Sequence, residues 1–433
     1  MPKRILTLVL GATLGFPAAA QTATAPSLTV NLQDAIERAR KYSPTFQAAL
    51  VGAGLAHEDR VQAKAALLPS VNYFNQYIFT QANGTPSGVF VANDGVHIYS
   101  SQGTVHADVF SPVKRAEYQR AFAAEAAAQA RADIASRGLV ATVVTGYYGL
   151  VSSERKAVNA RRSLDEAGQF LDLTEKQERG GEAARADVVK ARILAEQRAR
   201  DAQEADLSVE RSRISLAVLL FPNYRQDFRV VDDFESVPPL PQLAEVEKRA
   251  TSNSPELRAA QAAVRQESLG ISAARGALLP SLSFDYFYGI NANQFAVYNR
   301  FHERNLGSSV QGTLSIPVWN WGASRSRVRQ AQLRLEQAKA ELGFAERQLP
   351  ANLDVFYLEA KTAFAQLDSL RTSVSLSSES LHLTLLRYQA GEATALEVSD
   401  AQSTVAQARN AYDDGLARYR LALAEIQTLT GVL

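Results

Sequence analysis

The second half of the chain repeats the first at an offset of 209 to 211 residues. The repeated landmarks keep their order along the chain: Ser-Pro at residues 43–44 and 254–255, Leu-Leu-Pro-Ser at 67–70 and 278–281, Val-aromatic at 109–110 and 318–319, and Gly-Glu-Ala at 181–183 and 391–393. A unit of this length is far larger than a solenoid repeat, so the pattern predicts a duplicated module. We expect its two copies to pack with pseudo-twofold likeness.

The first residues have the pattern of an export signal. A basic pair, Lys3-Arg4, precedes an apolar run at residues 5–16, and three alanines follow at 18–20. The apolar run is too short to span a bilayer as a helix, so we predict a signal peptide at residues 1–20 that is removed on export. We find no later stretch of about 18 apolar residues and therefore expect no helical membrane span.

Composition narrows the class of exported protein. The chain has no cysteine, which excludes disulfides and an acylated N-terminal cysteine. Its net charge of +1 gives no reason to expect a nucleic-acid partner. An exported chain without a helical span is periplasmic, secreted, or part of a β-barrel in the outer membrane.

Most of the chain has the pattern of very long helices. Small or apolar residues recur at alternating steps of three and four, which predicts a coiled coil whose supercoil is locally unwound by one inserted four-residue step. This stripe comprises Val328, Ala331, Leu335, Ala338, Leu342, Ala345, Leu349, and, after the inserted step, Ala360, Ala363, Leu367, Leu370, Val374, Ser377, Leu381, Thr384 and Tyr388. Pro350 lies inside the run, and we expect a kink or break there.

The equivalent run in the first half, at about residues 112–177, is richer in alanine. Shorter helices are predicted at about 32–67, 184–220, 243–278 and 394–430. Four prolines exclude a continuous helix at residues 221–241. We therefore predict a first repeat at 21–221, a linker at 222–241 and a second repeat at 242–433, with coiled-coil helices at about 112–220 and 323–430.

Two windows depart from the helical pattern. Residues 71–110 and 282–321 are rich in Tyr, Phe, Asn, Gly and Ser, and apolar residues alternate there with polar ones. Such alternation, with aromatic residues near the ends, is typical of transmembrane β-strands, so we predict hairpins at about 69–110 and 280–319. The alternative is two soluble hairpins, each with one face buried on the helices.

Membrane strands would require several copies of the chain. Two hairpins supply four strands, which cannot close a barrel, and lipid does not tolerate open sheet edges. Three copies would supply twelve strands and a ring of helices. The predicted fold class is thus mainly α with a membrane β portion: a duplicated helix–β-hairpin–helix–helix unit whose long coiled-coil helices form an α-barrel below a twelve-stranded, trimeric barrel.

Taken together, these segments resemble the TolC-like outer membrane efflux protein family over the whole mature chain. The residues that carry the resemblance are the run from Tyr388 through Gly391, Glu397-Val398 and Ala401-Gln402, the Leu-Pro-Ser hinges, and the exit at residues 317–322. The resemblance implies a homotrimer in the outer membrane, whose helical tunnel reaches into the periplasm. It also implies a periplasmic adaptor (membrane fusion protein) and an inner-membrane pump of RND or ABC type as partners.

The resemblance implies a periplasmic gate near the start of the last helix. Tyr388 corresponds to a constricting tyrosine, Glu397 and Asp400 to carboxylates that line the pore entrance, and Asp187 to an acid that latches the closed state. The basic partner of that latch falls at Ala393, so its salt bridge is missing here. Three copies of the acid pair would attract cations and repel anions. The alternative is that these acids are solvated residues at a helix start.

Two glycines lie where the long helices turn back. Gly181 and Gly391 are predicted helix C-caps that need a positive φ. With the small residues Ala183 and Ala393 they would form the tips at which an adaptor docks.

The sequence indicates no enzyme. The five histidines are scattered without metal-site spacing, and we find no nucleotide-binding loop or nucleophile elbow. We predict no catalytic residues, no metal site and no cofactor. The leading function is a passive exit duct in the outer membrane, serving tripartite efflux or type I secretion. The alternative is a periplasmic coiled-coil adaptor or scaffold. The transported substrate, the pump and the adaptor are not encoded in recognisable motifs.

Overall fold

A computed structural model of the protein describes residues 28–79 and 97–432. The predicted signal peptide lies outside the described residues. The first half contains, in order, β1 (Leu28–Val30), α1 (Leu32–Tyr42), α2 (Pro44–Ala65), β2 (Ser70–Phe79), β3 (His97–Phe110), α3 (Pro112–Gly180) and α4 (Arg185–Leu220). The second half repeats this order with β4 (Phe228–Val230), α5 (Leu243–Asn253), α6 (Pro255–Gly276), β5 (Ser281–Ala292), β6 (Leu306–Ser315), α7 (Ala323–Gln389) and α8 (Ala395–Thr430).

The repeated Ser-Pro pairs are helix starts. The hydroxyl oxygens of Ser43 and Ser254 accept a hydrogen bond from the backbone N–H three residues on. Proline follows at the first helical position, where its missing N–H costs nothing. The same pair of residues at 111–112 begins α3.

The long helices pack as the hydrophobic stripe predicts. Every stripe position named above is buried or partly buried in α7, and so are Leu353 and Phe356 at the inserted step. The helix runs unbroken for 67 residues through Pro350, so the expected break does not occur. Against expectation, α3 contains one 18-residue window apolar enough to cross a membrane, with mean hydropathy 1.2 and 44% of it buried. Its buried valines and tyrosines pack in the protein core.

The halves meet in a small parallel sheet that the sequence did not reveal. β4 lies in the proline-rich linker and pairs with β1, with Val30 opposite Val230. Tyr147 of α3 contacts both strand segments: its hydroxyl lies 3.3 Å from the carbonyl oxygen of Val30 on β1 and 2.8 Å from that of Val231, just after β4, and it accepts from the Val231 N–H at 3.1 Å. Burial, together with the nearby carboxylate of Asp233, raises the pKa of the adjacent Tyr148 to about 12. The two-stranded sheet thus packs against the main hydrophobic core.

The other four strands form one antiparallel sheet in the order β2-β3-β5-β6. The register places Tyr286 beside both Val105 and Val310, so the apolar residues of neighbouring strands share a face. Most of this face is open: Val71 is 76% exposed and Leu314 is 61% exposed. The two hairpins are therefore not buried on the helices, and the alternative in which each hairpin buries one face there is wrong. β2 and β6 are the edge strands of the sheet.

The opposite face of the sheet is mainly polar. His106 Nδ1 lies 2.7 Å from a carboxylate oxygen of Asp285, and the hydroxyl of Ser100 donates to Asn291 at 2.8 Å. Gly289, on β5, has φ 157°, and a Cβ there would lie 2.2 Å from the carbonyl oxygen of Ser101 on β3. A sheet with one apolar and one polar face suits a wall between lipid and water.

Candidate functional site

The two helical hairpins end in matching turns. Gly181 follows α3 with φ 81°, and Gly391 follows the end of α7 with φ 76°. In each turn the next N–H bonds back over five residues, from Glu182 to the Gln177 carbonyl at 2.8 Å and from Glu392 to the Arg387 carbonyl at 2.8 Å. These are glycine C-caps of the Schellman type, as the sequence predicts. A Cβ at either glycine would meet nothing within 4 Å, so the positive φ alone requires glycine.

Tyr388 lies at the base of the second tip and faces inward, between the hairpins. It is 6% exposed, and its ring stands edge-on to Phe170 of α3 with centroids 5.2 Å apart. Its hydroxyl forms a 3.4 Å hydrogen bond with the hydroxyl of Thr174. Val398 and Ala395 of α8 complete the cluster. Within one protomer, Tyr388 thus joins the α3–α4 hairpin to the α7–α8 hairpin.

Glu397 has a structural role at the start of α8. Its carboxylate accepts from the Thr394 N–H at 3.2 Å, and the Thr394 hydroxyl accepts from the Glu397 N–H at 3.3 Å. This reciprocal pair is a capping box. Arg387, near the end of α7, lies 3.7 Å from the same carboxylate and donates to the carbonyl oxygen of Glu392 at 3.1 Å. Arg387 therefore forms an exposed ion pair with Glu397, which solvent screens, and connects the end of α7 to the turn that leads into α8.

The other two predicted acids differ from Glu397. Asp400 is exposed one turn further along α8, and its carboxylate forms no ion pair within the described part of the chain. Asp187 is about one-third exposed and lies 3.4 Å from Lys190 on its own helix. Arg185, two residues before Asp187, pairs with Glu178 at 3.3 Å. Ala393 is partly buried against the Tyr388 cluster, and Ala183 is partly buried in the first tip.

A ladder of polar contacts above the tips joins α3 to α8. The guanidinium of Arg409 donates two hydrogen bonds to Glu166 at 3.0 and 3.1 Å, and the Gln402 amide donates to the Glu166 carbonyl at 3.0 Å. One level higher, Asn159 donates to Asp413 at 2.8 Å. Arg409 is 8% exposed and Asp413 is 7% exposed, so both lie within the helix interface. These contacts connect α3 of one hairpin to α8 of the other.

Sequence reasoning missed this ladder, although a signal for it exists. Gln402, Arg409 and Asp413 follow one another at steps of seven and four, which places them on the buried face of α8. Polar residues at core positions of a coiled coil fix the pairing of helices. Reading the polar residues on the apolar stripe would have found them.

Comparison with known proteins places this geometry in context. The model of the family described as outer membrane efflux protein matches residues 35–220 and 246–432. The outer membrane protein TolC of Escherichia coli is 23% identical over 455 residues, covering 100% of this chain and 87% of TolC. The alkaline protease secretion protein AprF of Pseudomonas aeruginosa is 23% identical, covering 94% of this chain and 85% of AprF.

Solved structures share the fold. The CmeC outer membrane channel of Campylobacter jejuni superposes with a TM-score of 0.80 at 16% identity, covering 98% of this chain and 94% of CmeC. The outer membrane protein VceC of Vibrio cholerae gives a TM-score of 0.80 at 18% identity, covering 92% of this chain and 96% of VceC.

Proposed function

Because the chain belongs to the outer membrane efflux protein family, whose members form the exit channels of tripartite efflux and type I secretion systems, we propose how this chain builds such a channel. Three copies associate around a common lumen, and each contributes its four strands to a twelve-stranded barrel in the outer membrane. An N-terminal signal peptide at residues 1–20 directs export. Family members are transport channels and not enzymes, so the adaptor alternative is wrong and no catalytic role is assigned.

One observation carries the trimer: the four-stranded sheet has two unpaired edges and an exposed apolar face. In lipid each unpaired backbone group costs several kcal/mol, so β2 and β6 require partners. In a ring, one neighbouring copy supplies β6 for β2 and the other neighbouring copy supplies β2 for β6, with the same antiparallel sense. A closed ring of three meets this requirement.

The periplasmic entrance is closed at the tips. In this proposal the exposed carboxylate of Asp400 faces the lumen and selects for cations, because three copies of an unpaired acid create a negative ring. Glu397 fixes the start of α8 through the capping box, and Tyr388 holds the two hairpins together through its contact with Phe170. Asp187 pairs with Lys190 on its own helix. Opening would separate the α7–α8 hairpin from α3 and break the Tyr388 and Arg409 contacts.

The tips are the proposed docking surface for the adaptor. Gly181 and Gly391 have no side chain and Ala183 and Ala393 have short ones, so these positions leave room for an incoming helix beside the exposed Glu182 and Glu392. An adaptor hairpin would approach these tips and link the channel to an inner-membrane pump of RND or ABC type. Since energy comes from that pump, the channel itself conducts passively.

The direct test is the mass and conductance of the purified protein. Extracted from outer membranes in mild detergent, it should have the mass of three chains and form cation-selective pores in planar bilayers. Recovery as a water-soluble monomer would overturn the proposal. The Asp400→Asn variant should form the same trimer with weaker cation selectivity.

A further inference from the structure

A cavity lies where the sheet meets the helices. It has a volume of about 600 Å³ and is formed by the end of β3, the first turns of α3 and the end of α6. Its apolar wall consists of Leu67, Val109, Phe110 and Leu279. The exit channel described so far makes no use of this cavity.

The polar side of the cavity carries positive charge. Arg115 of α3 and Arg275 of α6 both line it, both are exposed, and neither forms an ion pair in the described residues. Asp108 is the one acid in the lining, and its carboxylate is paired with Lys114. The N-terminal end of α3, with its positive dipole end, lies at the same place. Two unpaired guanidinium groups therefore dominate its charge.

The cavity continues the apolar face of the sheet. Phe110 pairs with Leu282 across β3 and β5, on the face that carries Phe284 and Tyr286. The exposed residues Trp319 and Trp321 lie between the end of β6 and the start of α7, at the equivalent junction of the second repeat. Tryptophans at this height are typical of the border between hydrocarbon and water. The cavity thus lies at the membrane border on the helical side.

We propose that this cavity binds a phospholipid from the periplasmic leaflet of the outer membrane, one for each protomer. The phosphate would bind between the guanidinium groups of Arg115 and Arg275, which can each donate two hydrogen bonds to it. The start of an acyl chain would lie along Val109, Phe110 and Leu279. Basic pockets beside apolar membrane surface bind lipid headgroups in this way.

The proposal rests on the membrane position proposed for the sheet, but it makes a separate claim. The bound lipids, one for each protomer, would fix the depth at which the barrel lies in the membrane, because they hold the junction between strands and helices at the lipid headgroups.

Native mass spectrometry of the purified trimer supplies the test. Wild-type protein mixed with phosphatidylglycerol should retain up to three lipids after the detergent is stripped. The double variant Arg115→Gln/Arg275→Gln should retain about tenfold less lipid, because it lacks both guanidinium groups that would donate to the phosphate. The matched control Arg325→Gln/Arg329→Gln removes the same charge from exposed positions near the start of α7, outside the cavity, and should retain lipid like the wild type.

A second arm separates a lipid from a phosphate ion. Leu279→Asn should weaken retention of the lipid while leaving the binding of inorganic phosphate unchanged. If inorganic phosphate competes with the lipid at equal concentration, or if both double variants lose lipid equally, the site is not a phospholipid site. If no trimer forms in any sample, the failure lies with the proposed channel assembly. An intact trimer without bound lipid overturns only the inference about the cavity.

Discussion

Arg409 of α8 donates hydrogen bonds of 3.0 and 3.1 Å to the carboxylate of Glu166 on α3, inside the interface between the two helical hairpins. The Arg409 side chain is 9% exposed and that of Glu166 is 20% exposed. A pair so shielded from water costs much more to break than a surface pair, because each charge loses its partner without regaining full hydration. The pair therefore acts as a lock: it holds the α7–α8 hairpin, which moves in our proposal, against α3, which stays in place.

Loss of this lock should favour the open channel. Arg409→Gln leaves the Glu166 carboxylate paired with the exposed Arg162 at 3.3 Å but without its buried partner, at a cost of about 2 kcal/mol to the closed arrangement. We expect a several-fold rise in single-channel conductance in planar bilayers. Arg418→Gln is the matched control, since Arg418 pairs with Glu359 at the surface, and it should leave conductance unchanged. Equal effects of the two variants on conductance would show that the Arg409–Glu166 pair does not hold the channel closed.

The two acids at the start of α8 should contribute unequally to selectivity. Asp400→Asn removes an unpaired charge, whereas Glu397→Gln removes one that Arg387 partly offsets and preserves the capping box. The reversal potential in a KCl gradient should fall clearly for Asp400→Asn and only slightly for Glu397→Gln. A larger shift for Glu397→Gln would show that the pore is lined differently.

Tyr388 should act through packing and not through its hydroxyl. Tyr388→Phe loses one long hydrogen bond, of about 0.5 kcal/mol, and should conduct like the wild type. Tyr388→Ala also removes the contact with Phe170, which costs about 3 kcal/mol, and should raise conductance. If the hydroxyl itself constricted the lumen, Tyr388→Phe would instead raise the conductance.

Glycine at position 289 should be essential for assembly of the barrel, because it leaves no Cβ against β3. Gly289→Ala would place a Cβ against the backbone of β3, forcing β3 and β5 apart. We expect little trimer in outer-membrane fractions. Gly307 lies opposite Gly289 on β6 and has open space around it, so Gly307→Ala should assemble normally. Normal assembly of both variants would contradict the observed pairing.

One carboxyl group should make stability depend on pH. Burial, with a smaller effect of Glu359, raises the pKa of Glu425 in the folded protein. The unfolded chain then holds this proton less tightly, so the group costs stability as the pH rises above its unfolded pKa of about 4.3. Glu425→Gln should raise the melting temperature at pH 7 and leave it unchanged below about pH 4. Glu379→Gln, at an exposed position, is the control.

The sequence predicted those elements whose pattern repeats over many residues. The stripe from Val328 to Tyr388 and the glycine caps at the tips follow from local geometry, and both are found. The pairing of β1 with β4 was missed because three-residue strands carry no periodicity. Glu397 had two possible roles in the sequence, and only the position of Thr394 and Arg387 shows that it caps a helix. Such contacts depend on side-chain distances that spacing alone does not give.

Disulfide cross-linking between the sheet edges tests the shared barrel most directly. The chain has no cysteine, so a variant with one cysteine on β2 and one on β6, scanned in register around Tyr73 and Ser308, reports only those edges. Oxidation in outer membranes should give a covalent trimer and nothing larger, because a ring of three closes on itself. A cross-linked monomer, or a ladder that extends beyond three chains, would contradict the account.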